Sequence, residues 1–195
     1  HDRGVRVRYI HDDETLNEAL MSGINFPVFT DAVSVDEGLM HHKFVVFDVD
    51  DVNNSYVLTG STNFTDENIG RDYNNIVVIQ DQAVAKAYTH EFNEMWGGDT
   101  DEPNFFGARF ASQKSDDTPH QFKVGESMVE VYFSPSDNTS NAIERSVRSA
   151  DDQLMLALLT FTYNSLGTAV VDEFYEGTDV RVILDNNRDQ GTEYD

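Results

Sequence analysis

Two short apolar stretches, Phe44-Val45-Val46-Phe47 and Tyr56-Val57-Leu58-Thr59, constrain this chain more than any other feature of it. Each is too short for a stable helix and rich in β-branched and aromatic residues. Between them, Asp50-Asp51-Val52-Asn53-Asn54-Ser55 is made of the residue types that form tight turns. The pair therefore reads as two strands joined by a hairpin turn. The first strand is entered through Met40-His41-His42-Lys43, and the second leaves through Gly60-Ser61-Thr62-Asn63. Strand residues two apart share a face, so His41 and Lys43 project together while His42 points away. An imidazole beside an ammonium, faced by hydroxyl and amide groups of a neighbouring turn, makes a small site for a tetrahedral anion. It offers a nucleophile and a charge clamp without a metal.

The order His41-x-Lys43-x4-Asp48, followed by Gly60-Ser61-x-Asn63, resembles the signature of the phospholipase D superfamily. The stretch from Val49 to Thr59 is longer than that family usually has, which lengthens a loop and leaves the site intact. Asn74, just before the strand Ile76 to Ile79, stands where the family often has a carboxylate that orients the catalytic histidine. An amide there can accept a hydrogen bond from an imidazole but cannot stabilise imidazolium by charge. The resemblance implies metal-independent phosphodiester hydrolysis or transphosphatidylation through a phosphohistidine, with no cofactor. His41 is then the nucleophile or the acid for the leaving oxygen, one motif being unable to say which. Lys43 and Asn63 hold the non-bridging oxygens, where charge grows in the transition state, and Ser61 donates a hydroxyl. Gly60 permits the tight backbone that Ser61 and Asn63 need, and Asp48 serves as a supporting ion pair or turn-fixing residue. Phospholipid is the favoured substrate class, with nucleic acid second. A degenerate binding or structural module is the reading from another class.

A chain of 195 residues with 36 acidic against 13 basic side chains has a net charge of −23. Such a field repels phosphate backbones, which disfavours non-specific nucleic-acid binding, although a local basic pocket can survive inside it. The same acidity reads as a strongly hydrated surface. Zero cysteines exclude disulfides and thiolate metal sites. His41, His42, Asp48, Asp50 and Asp51 form a possible ligand cluster, but the loop from Asp48 lacks the glycine and glutamate that a calcium loop requires at its sixth and twelfth positions, where Asn53 and Thr59 stand. His1, His11, His90 and His120 have no partner spacing and read as structural or solvent residues. No run approaches the ~18 apolar residues of a membrane helix, and no signal peptide is visible.

The expected fold class is α/β: a mixed, largely parallel sheet flanked by helices, phospholipase D-like, in an incomplete two-repeat fragment. Gly4 to Ile10 and Asp179 to Asp185 look alike, both alternating apolar segments that run into Asp/Asn-rich stretches. Residues 1–97 read as the later part of one repeat, with a helix from Thr15 to Ser22 and another capped by Asp81 and stopped by Gly97-Gly98. Residues 98–128 read as a linker, with Phe105, Phe106 and Phe110 packing on a domain surface. Residues 129–195 read as the opening part of a second repeat without its own motif: a strand at Val129, a helix with Ala142, Ile143, Val147 and Ala150 inward, an apolar strand from Leu154 buried on both faces, and a helix with Leu166, Ala169, Val170 and Phe174 inward. One half-site implies that the partner is either a missing second repeat or a second copy of the chain in a dimer, the two portions packing on each other in permuted fashion or by exchange.

Overall fold

The computed structural model describes residues 3–12, 20, 23–31 and 38–185. The expected helix at Thr15 to Ser22 falls almost wholly outside them. Two compact units divide after Asp137.

In the first unit, β1 (Tyr9–Asp12) and β2 (Val28–Asp31) pair in parallel, with Tyr9 opposite Val28. Phe29 of β2 is buried against the rings of Trp96, Phe105 and Phe110. Phe110 is half-buried there, whereas Phe105 is 66% and Phe106 95% exposed. The motif hairpin forms β3 (Phe44–Phe47) and β4 (Tyr56–Gly60), antiparallel, with Phe44 opposite Thr59 and Phe47 opposite Tyr56. Its turn is closed by local bonds. Asp48, at φ 48°, accepts through its carbonyl from Asp51 N and the Ser55 hydroxyl, and the Asp51 carboxylate accepts from Asn53 N and Asn54 Nδ2. β4 then pairs antiparallel with β5 (Ile76–Ile79), Gly60 lying opposite Ile76. The connection carries the short helix α1 (Asp66–Gly70), capped by the Thr65 side chain.

Helix α2 (Gln82–Trp96) begins where Asp81 Oδ1 accepts from Val84 N at 2.9 Å and stops at Gly97, in the left-handed region at φ 88°. Both ends follow from the residue types, a carboxylate N-cap and a glycine C-cap. Val84, Ala85 and Ala87 of α2 meet Val57 of β4 in a core that also takes Phe122, Val131 and Phe133. Full burial of an aliphatic side chain such as Val57 contributes about 1.5–3 kcal/mol.

Those last three core residues revise the expected domain division. The stretch read as a linker contains β6 (Gln121–Val124), which forms a hairpin with β7 (Ser127–Glu130) around Gly125. Its apolar positions, together with Val131 and Phe133, complete the core of the motif unit, so the boundary falls after Asp137 and not at 98–128. Alternation at Phe122, Val124, Val129, Val131 and Phe133 was the signal. The polar Ser, Asp, Thr and Lys around it concealed it.

The second unit holds α3 (Thr139–Val147), β8 (Gln153–Leu158), α4 (Asn164–Glu176) and β9 (Asp179–Leu184), with β8 and β9 parallel. Its core joins Val147, Ala169 and Val170 to Leu154, Leu156, Phe161 and Val180. Both helices have left-handed or turn residues at their ends, Asn138 before α3 and Gly177 after α4. Within this unit β8 is covered on one face only: Leu154 and Leu156 face the core and Met155 is 67% exposed. Two-sided burial, expected from the unbroken apolar run, is absent here because both helices pack on the same side as Leu154 and Leu156. Ile143 and Phe174, expected inward, are exposed. On α4 the inward row is Ala169, Val170 and Glu173, the last accepting from the Thr178 hydroxyl at 3.3 Å.

The architecture is mixed α/β. Parallel pairing occurs at β1–β2 and β8–β9, and antiparallel pairing at β4–β5 and at the two hairpins, β3–β4 and β6–β7, whose short connections leave no room for a crossover.

Gly60 is the tightest backbone position of the motif unit. At φ 151° a Cβ added there would lie 2.2 Å from the carbonyl oxygen of Asn75. Gly60→Ala is expected to destabilise the unit by about 1–3 kcal/mol, read as a lower denaturation midpoint. An unchanged midpoint would show that the β4–β5 crossing is looser than this geometry.

Candidate active site

The register of the hairpin sets the site. Phe44 opposite Thr59 places the entry to β3, with His41 and Lys43, at the same end of the sheet as the exit from β4, with Ser61 and Asn63. Lys43 Nζ donates to the backbone carbonyl of His41 at 2.7 Å, which holds the two motif residues in one unit. Upstream, Met40 N donates to Asp12 Oδ2 at 3.3 Å and ties the lead-in to the end of β1. Partial burial, then the nearby Lys43 and His42, push the His41 imidazole below its ordinary value of 6.5, while Asp12 opposes them. Partial burial likewise lowers Lys43.

The Gly-Ser-x-Asn turn is fixed by a second set of bonds. Ser61 N donates to Asn75 O at 3.1 Å, and Asn75 N donates back to Ser61 Oγ at 3.1 Å. Ser61 Oγ donates to Asn74 Oδ1 at 2.9 Å, Thr62 Oγ1 donates to Asn75 O, and Asn63 N donates to Asn68 Oδ1. Asn63 itself is exposed. Asn74, at the position linked above with orienting the histidine, has Ser61 and Asn68 as its described partners. Asp48 lies beyond the far end of β3 from His41, and its carbonyl belongs to the hairpin turn. The ligand cluster considered from the sequence is therefore split. His41 and His42 precede β3, and Asp48, Asp50 and Asp51 follow it, roughly 20 Å away along an extended strand.

His42 turns to the other face and meets a group that the sequence reading missed. Its Nε2 lies 2.8 Å from Oε1 of Glu91, a carboxylate 3% exposed on the buried side of α2. Lys114 Nζ lies 2.5 Å from the same oxygen, with its side chain also 3% exposed, and donates to Ser134 O at 2.8 Å. The His42 ring sits edge-on to Phe44 and Phe133. Glu91 was detectable in principle: it falls between Ala87 and Met95 on the apolar stripe of a helix, where a carboxylate requires a cation. Lys114 carried no such signal inside a polar stretch.

Beside His41 and His42 opens a cleft of about 460 Å³. Met40 and Met95 line it on the motif side, and Phe110, Ala111, Lys114, Tyr132, Ser134 and Pro135 on the other. A second polar cluster groups His120 with Asp116 and Asp137. His120 Nε2 lies 3.0 Å from Asp116 Oδ1 and Nδ1 lies 2.9 Å from Val131 O, while Asp137 accepts from Phe133 N and the Ser136 hydroxyl. His120, read from sequence as a structural or solvent residue, thus pins the segment after β7 to the stretch before β6.

Residues 1–96 match the family model described as cardiolipin synthase, PLD-like domain. Among curated proteins, the chain is similar to a mitochondrial cardiolipin hydrolase of Xenopus tropicalis, 39% identical over 100 residues that span 49% of this chain and 44% of that protein. It is 30% identical over 101 residues to a protein of the same name in Chlamydomonas reinhardtii, spanning 49% of this chain and 42% of that one. A phospholipase D of Rickettsia conorii is 31% identical over 88 residues, spanning 44% of this chain and 42% of that one. The match thus spans less than half the length of these relatives. No solved structure matches the chain significantly. The matched residues include the whole His41-to-Asn74 motif region, and this part of the chain, residues 1–96, carries a phospholipase D-like domain.

Proposed function

We propose that this chain supplies one half-site of a metal-independent phosphodiesterase that acts on phospholipid. The observation that carries the reading is the placement of His41 and Lys43 beside the bonded Ser61–Asn75 turn at one end of the β3–β4 pair. The names of the relatives, cardiolipin hydrolase and phospholipase D, support phospholipid over nucleic acid as the substrate class. The net charge of −23 points the same way, since it repels long polyanions.

In this reading the Lys43 ammonium and the Asn63 amide hold the non-bridging oxygens of the phosphodiester. The lone pair of the neutral His41 imidazole attacks phosphorus, a P–N bond forms and the P–O bond to the leaving alcohol breaks. A second imidazole gives that alcohol its proton. Water, deprotonated by the same second imidazole, then attacks phosphorus, and the P–N bond breaks to restore His41. With a sugar or glycerol hydroxyl in place of water the product is a new diester. The second imidazole comes from a second repeat or from a second copy of the chain; with the roles exchanged, His41 is the acid and base. Ser61, held by Asn74 and Asn75, keeps the anion-facing turn rigid.

Two tests follow. In the intact protein, hydrolysis of phosphatidylcholine or cardiolipin vesicles is expected to persist in EDTA and to fall by about 10⁴-fold or more in His41→Ala. Loss of activity in chelator with rescue by a divalent ion would sink the metal-independent route, and cleavage of plasmid DNA in preference to lipid would reverse the substrate assignment. The second test is the protonation of His41. Partial burial, then Lys43 and His42, lower its proton affinity, which favours the neutral, nucleophilic ring. Because the unfolded ring binds its proton more readily, this group's contribution to stability is lost as pH falls through 6.5 towards the folded value. An NMR titration is expected to place His41 below 6.5 and to move it upward in Lys43→Met; a midpoint above 6.5 in the unsubstituted chain refutes the electrostatic account.

A further inference from the structure

We propose that the cleft beside His41 is a subsite for the hydrocarbon part of an amphiphilic phosphodiester, the acyl-glycerol portion of a phospholipid, an inference that rests on the reading above. Its volume of about 460 Å³ lies within the range of small-ligand pockets, roughly 300–1,000 Å³. The far wall comes from Phe110 to Pro135, outside the residues 1–96 that match the family, so the cleft belongs to this chain's own architecture.

Three polar side chains along the cleft already have partners. Lys114 Nζ is held by Glu91 and by Ser134 O, His42 Nε2 by the same Glu91, and the Tyr132 hydroxyl donates to Glu130 Oε2 at 3.0 Å. A nucleobase carries several donors and acceptors, and placing it here would leave them without partners, at a penalty for each. An alkyl or ester-linked chain makes no such demand, and Met40, Met95, Phe110, Ala111 and Pro135 present it with apolar surface. The charge pattern is complementary to an amphiphile. His41 lines the cleft and Lys43 is bonded to its carbonyl, where a phosphate would sit, whereas the buried Lys114 is countered by Glu91. A ligand with a single anionic centre and an apolar arm fits both halves.

The methyl groups of Met40, Met95 and Ala111, isotope-labelled in the full chain, report on the cleft by NMR. Dihexanoyl-phosphatidylcholine, kept below its micelle-forming concentration, is expected to shift all three saturably. A dithymidine phosphodiester is expected to leave them in place. Met40→Gln, which sets an unpartnered amide in the wall, is expected to weaken lipid binding about tenfold. Leu39→Glu, at a rim position 58% exposed where folding is not at stake, is expected to weaken it by repelling the phosphate. His41→Ala is expected to retain the lipid-induced shifts, so an inactive enzyme with a filled cleft separates failure of the chemistry from failure of the subsite. The proposal is overturned if lipid gives no saturable shift, if the dinucleotide fills the cleft as well as lipid does, or if both wall variants bind lipid with unchanged affinity.

Discussion

The Glu91 carboxylate, 3% exposed, has Oε1 2.8 Å from His42 Nε2 and 2.5 Å from Lys114 Nζ, and these two contacts join three separate parts of the chain. His42 belongs to the lead-in of the motif strand, Glu91 to the middle of α2, and Lys114 to the stretch between Gly98 and the β6–β7 hairpin. A carboxylate in such a place is unfavourable by several kcal/mol unless it is paired and hydrogen-bonded, and removal of one partner from a buried pair costs roughly 3–5 kcal/mol. The arrangement therefore ties the position of His41, one residue from His42, to the packing of a segment far away in sequence. It also makes one wall of the cleft, because Lys114 and Ser134 reach that wall through the same contacts.

On the opposite side, the site depends on backbone more than on side chains. The Ser61–Asn75 exchange of hydrogen bonds continues the β4–β5 ladder past Gly60, and the approach of Gly60 to the Asn75 carbonyl leaves no space for a Cβ. The serine hydroxyl both accepts from Asn75 N and donates to Asn74, so the turn is a small network and not a loose loop. The His41 imidazole is tuned by its surroundings. Partial burial, then the neighbouring Lys43 and His42, lower its proton affinity and favour the neutral ring.

Much of this was legible in the residues. The hairpin, its two functional ends at one edge of the sheet, the caps of α2 at Asp81 and Gly97, and the small parallel unit β8–α4–β9 all follow from local periodicity, turn chemistry and capping, which act over a few residues. The motif itself is local too, since alternation alone puts His41 and Lys43 on one face and His42 on the other. Where residues disagreed with the pattern, the reading failed. Polar residues from Asp99 to Thr118 concealed the hairpin Gln121 to Glu130, and an unbroken apolar run at Leu154 to Leu159 implied a strand covered on both faces, whereas helices cover only one in this unit.

The sequence by itself determined which residues could do chemistry and the strand ends on which they stand, because those depend on neighbours one to four positions away. Only the tertiary structure decided what surrounds them. Whether Asn74 meets a histidine or a serine, whether Lys114 is a solvated cation or the buried partner of Glu91, and whether residues 110–135 are a tether or the wall of a cleft all depend on contacts between groups more than ten residues apart. Such contacts are selected by the packing of the whole core, in which Val57, Val84 and Phe133 must be buried together, and no local pattern encodes that choice.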